Sequence, residues 1–121
     1  MSPKSKIKLN ILRRKLDIID NNLLSILKKR SNLVKEVLKL KKYKSEIVDK
    51  KRINYILNKI KKKSIQSKID PKITNRIWKN MIWSYIDYER RNFKKNKITY
   101  YVEAIFFQQK LHVSLWQDYI F

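Results

Sequence analysis

Arg30, Lys41 and Arg52 are the residues of this chain whose type and spacing could do chemistry. Along "LLSILKKRSNLVKEVLKL" (residues 23–40) and the stretch before it, apolar side chains recur at Leu12, Leu16, Ile19, Leu23 and Ile26. They resume at Leu33, Val37 and Leu40. The steps alternate four and three, which is the 3.5-residue seam of a helix packed along another helix. Position 30 falls inside that series and is an arginine. Arg30 and Lys41 are eleven residues apart, so at about 100° per residue they lie within roughly 20° of one helix face. Arg52 adjoins the apolar Ile53 and Ile56, with Asp49 one turn before it. Tyr85 and Glu89 are one turn apart on a later apolar ladder, so Glu89 is expected to point inward.

A single inward cation is accounted for by snorkelling, or by an ion pair that fixes helix register. Three of them, with too few inward carboxylates to neutralise them, imply a missing anion. The planar fork of arginine suits a carboxylate. The residues therefore predict a small, multiply anionic ligand held between helices.

Other chemistries lack their parts. The chain has no cysteine and no glycine, which removes thiol nucleophiles, thiolate metal sites and glycine-rich phosphate loops. His112 is the only histidine and has no acid or second ligand at metal spacing; a packing or surface role is expected for it. The serines have no base partner, and the carboxylates are few and scattered. No metal or cofactor is expected.

The net charge of +21 would suit a polyanion such as nucleic acid. Yet lysine outnumbers arginine 24 to 7 and glycine is absent, as an AT-rich genome would produce. The lysines are spread over every helix face, where solvated cations are the default. Nucleic acid is accordingly not the expected partner. No apolar run approaches a membrane span, and "MSPKSKIKLN" has neither an apolar core nor a cleavage site. A cytoplasmic, single-domain protein is expected.

Three helices must position these residues. The seam predicts a first helix over about 9–42. "KYKSEIVDKK" interrupts it, and Asp49 is a candidate cap for a second helix over about 49–63, with Ile53, Ile56, Leu57 and Ile60 on one side. Asp70 before Pro71 signals the start of a third, over about 70–95, with Ile73, Ile77, Met81 and Tyr85 at steps of four. Residues 96–121 hold half of the aromatics and fit neither period cleanly. They are expected to form an appendage of unassigned structure.

"LRRKLDIIDNNLLSILKKRSNLVKEVLKLKK", "IVDKKR" and "IDPKITNRIWKNMIWSYIDYERR" together resemble the three helices of the all-helical (type II) chorismate mutases. The resemblance covers about residues 9–95. It implies an all-α fold, an intertwined homodimer of three-helix chains, and a cofactor-free rearrangement of chorismate to prephenate in the making of Phe and Tyr. By that resemblance Arg13, reaching across from the partner chain, Arg30 and Arg52 would hold the two carboxylates of the dianionic substrate. Lys41 would bond the ether oxygen of the breaking bond, and Asp49 would sit beside the ring hydroxyl. A pericyclic step needs no nucleophile, only a compact substrate conformer and cations where charge develops.

Three positions depart from the family pattern. Ile53 stands where a glutamate usually follows the second-helix arginine, Tyr85 stands for a serine, and Glu89 for a glutamine. A glutamate there can donate to the ether oxygen only when protonated. A bound dianion and burial favour that form, and Lys41 opposes it. The first two departures resemble the isochorismate–pyruvate lyases of the same fold, which release pyruvate and salicylate. Mutase is the favoured reading and lyase the second. A non-catalytic basic helical protein, binding nucleic acid or a partner through its tail, is the third.

Overall fold

The structure, a computed structural model, describes residues 1–94. The expectations for the aromatic-rich tail and for His112 lie outside them. Among the described residues the chain is all-α: α1 (Pro3–Leu40), a short 3-10 helix (Lys44–Glu46), α2 (Lys50–Gln66) and α3 (Pro71–Asn92), with no strand.

α1 begins at Pro3, ahead of the expected residue 9, because a capping signal precedes the apolar seam. The Ser2 hydroxyl accepts from the backbone N–H of Ser5 at 3.1 Å, and proline occupies the first helical position. α1 ends at Leu40, two residues before the expected 42. The Lys41 N–H reaches back only to the Leu38 carbonyl, at 3.1 Å. The next two N–H groups, of Lys42 and Tyr43, donate to the Glu46 carboxylate at 2.7 and 3.2 Å. That side chain supplies partners that a continued helix would have supplied.

α2 starts at its expected cap, where the Asp49 carboxylate accepts from the Arg52 N–H at 3.0 Å. It runs to Gln66, beyond the expected 63. It closes with the Lys68 N–H on the Ile65 carbonyl (3.2 Å) and the Ile69 N–H on that of Ser64 (2.9 Å). These two bonds form a Schellman motif, which places Lys68 in the left-handed region at φ 56°. α3 starts at Pro71, capped by the Asp70 carboxylate on the Lys72 N–H at 2.9 Å. It stops at Asn92, short of the expected 95, where Phe93 turns extended.

The chain divides into two compact units, Met1–Glu36 and Val37–Phe121, with the boundary inside α1. The first is helix throughout its described length after Ser2, and α1 buries no residue at all. Its seam residues Leu12, Leu16, Ile19, Leu23, Ile26 and Leu33 are all exposed.

In the second unit α2 and α3 pack on each other. Ile47, Ile82 and Ile86 are buried, with Val48, Ile53, Ile56, Leu57 and Phe93 against them. At the turn end a hydroxyl pair ties the helices, Ser64 Oγ to Thr74 Oγ1 at 2.7 Å. Each hydroxyl also faces a backbone carbonyl of its own helix, Ser64 that of Ile60 at 2.6 Å and Thr74 that of Pro71 at 3.3 Å, and either one can be the donor between the two. On α3 the buried line is Thr74, Ile82, Ile86 and Glu89, and Ile73 and Ile77 of the expected ladder are exposed. The ladder is rotated by one residue because Ile82 and Ile86, rather than Met81 and Tyr85, meet Ile47 and the α2 side chains.

Candidate active site

The loop between α1 and α2 brings Lys41 to α3. Its ammonium donates to Glu89 Oε2 at 2.7 Å, with the two side chains 18% and 9% exposed. Two features hold the loop in place: Ile47 buried in the core, and the Glu46 carboxylate on the two N–H groups that follow Lys41. Glu46 was not singled out in the sequence. Its only signal there was an acid four residues after Lys42, at a break in the apolar period.

Glu89 is buried because it continues the line of Ile82 and Ile86, three residues past the latter. A buried carboxylate needs a partner, and Lys41 supplies one at charge-assisted hydrogen-bond distance. The pair joins a hydrogen-bond donor and a titratable acid at the edge of the apolar core. Such a pair can serve an oxygen on which charge builds.

Asp49 and Arg52 occupy the first turn of α2 and are exposed. Asp49 spends one oxygen on the helix cap and has the other to use. The Arg52 guanidinium lies over the Tyr55 ring, 5.2 Å from its centroid. Ile53 points the other way, into the core, which explains how an apolar residue is accepted directly after this arginine. Tyr85 is half-buried, one turn before Glu89.

Arg13 and Arg30 belong to the Met1–Glu36 unit. Arg13 is exposed, and Arg30 is half-buried between the exposed Ile26 and Leu33. Lys41 lies past the last residue of α1, so the shared helix face expected for Arg30 and Lys41 does not extend to it. Among the described residues no group of three or more His, Cys, Asp or Glu side chains is placed to hold a metal ion. No described helix is long and apolar enough to cross a membrane.

Among the described residues, three α-helices and a lysine–carboxylate pair on a small apolar core define an all-α protein with a charged site. The chain belongs to the chorismate mutase type II family, whose sequence profile matches residues 12–90. That span takes in every candidate site residue and stops before the tail. The family supports a chorismate mutase-like, isomerase-type activity. No curated protein and no solved structure matches the chain.

Proposed function

We propose that the protein is a chorismate mutase that converts chorismate to prephenate. The observation that carries this reading is the Lys41–Glu89 contact. A lysine donor and a buried glutamate meet there, far apart in sequence and largely out of water. In the free protein they satisfy each other. With substrate bound, Lys41 would turn to the ether oxygen as its bond to carbon lengthens, with Glu89 beside it. Arg30, Arg52 and a partner's Arg13 would hold the two carboxylates. Binding both carboxylates at once selects the folded conformer from which the rearrangement proceeds.

The exposed α1 seam supports a homodimer. A 38-residue helix with apolar residues at 3.5-residue spacing and no buried side chain needs a partner surface. A second copy of the same seam matches its spacing, and it would bring Arg13 into the neighbour's site. The high positive charge assists capture of the dianion, and a cytoplasmic location fits the absence of cysteine.

Isochorismate–pyruvate lyase is the second reading, favoured by one pair of residues. Ile53 places no carboxylate directly after Arg52 in the chain, and Tyr85 puts a bulky phenol one turn from Glu89. Purified protein supplied with chorismate, and separately with isochorismate, separates the readings by product. Prephenate is expected from chorismate. Salicylate with pyruvate from isochorismate alone would replace the mutase reading, and turnover of neither would end both.

A further inference from the structure

Tyr55 lies on the exposed flank of α2, three residues after Arg52 and four before Lys59. It is 52% exposed, so core packing does not explain its ring. Two cations converge on it. The Arg52 guanidinium sits 5.2 Å from the ring centroid, and the Lys59 ammonium sits 5.5 Å away while donating to the phenol oxygen at 3.4 Å. The spacings i−3 and i+4 are those at which helical side chains meet.

We propose that Tyr55 is a positioning residue for Arg52. This inference rests on the reading of Arg52 as a carboxylate-binding residue. An arginine near a helix start has four side-chain torsions to order before it can grip a ligand. An acidic neighbour would order it but would occupy the same N–H groups that the ligand needs. An aromatic face orders it differently. A ring that engages the flat face of a guanidinium leaves the in-plane N–H fork open for a bidentate carboxylate. Lys59, 5.5 Å from the centre of the same ring, adds a second positive charge beside this flank. The arginine is thereby pre-oriented without being neutralised.

The effect belongs to binding more than to the chemical step, because the carboxylate is held alike in the ground state and the transition state. Steady-state kinetics of the full-length chain on chorismate, or on isochorismate if that is the compound turned over, give the test. Tyr55→Leu is expected to raise KM about 2- to 5-fold, the range of an exposed cation–π contact, with kcat unchanged. Tyr55→Phe keeps the ring face and is expected to keep KM. Proton NMR supplies a readout independent of turnover: the Arg52 side-chain protons are expected upfield of ordinary values in the wild type and in Tyr55→Phe, and at ordinary values in Tyr55→Leu. If Arg52→Ala raises KM and Tyr55→Leu does not, or if the Leu and Phe variants behave alike, the inference is overturned and the site reading survives. If Arg52→Ala leaves KM unchanged, or the protein turns over neither compound, the site reading fails and takes the inference with it.

Discussion

Lys41 and Glu89 are 48 residues apart and meet at 2.7 Å. The inward direction of Glu89 was legible from its place on an apolar ladder, although the ladder proved to run through Ile82 and Ile86. Its pairing with Lys41 was not legible, because it depends on where a loop outside any helical period delivers the lysine. The pairing bears on how substitutions at this position should act. Glu89→Gln keeps the length of the side chain and supplies an amide donor, so it is expected to keep turnover, whereas Glu89→Ala is expected to lose it. Wild-type turnover by Glu89→Ala would remove Glu89 from the chemical step. Arg30 provides a second test at this scale. Arg30→Ala is expected to abolish turnover while far-UV circular dichroism stays helical, whereas a nucleic-acid-binding protein would lose nothing by that change.

The helix starts illustrate what short-range chemistry determines. Asp49, and Asp70 with Pro71, open α2 and α3 as their residue types require, since a cap oxygen and a proline act within a turn of their own position. Ser2 with Pro3 carries the same signal for α1, but it lies ahead of the apolar seam and was passed over. The helix ends were less legible. In a chain without glycine the usual stop residue is missing, and α2 stops by forcing Lys68 into the left-handed region at φ 56°. A side chain bearing a Cβ is disfavoured there and glycine is not. Lys68→Gly is expected to stabilise the protein by about 1 kcal/mol. That would be read as a rise of roughly 4 °C in the melting temperature. An unchanged or lowered Tm would mean that Lys68 makes up the cost elsewhere.

At the scale of the molecule the described core is small. Ile47, Ile82 and Ile86 are its buried apolar side chains, while the apolar seam of α1 is open. Association of two copies along α1 would bury that seam, and it carries a test that uses the site itself. If Arg13 acts across the interface and Arg30 within its own chain, Arg13→Ala and Arg30→Ala homodimers are each inactive. Refolding the two together would then form mixed dimers with one intact site, recovering roughly a quarter of wild-type turnover. Recovery of none would place both arginines in one chain's site or end the dimer reading.

The sequence alone determined the helical class, the three long helices of the described residues, two of their three caps and the family. Each of these follows from periodicity and capping chemistry, which act over one or two turns, or from motifs kept in order along the chain. Only the tertiary structure decided which face of α3 is buried, that Lys41 closes on Glu89, that Glu46 holds the loop between them, and that Arg52 rests on Tyr55. Those outcomes depend on the path of a nonhelical loop and on the packing of α2 against α3. Both are long-range balances that no local pattern encodes.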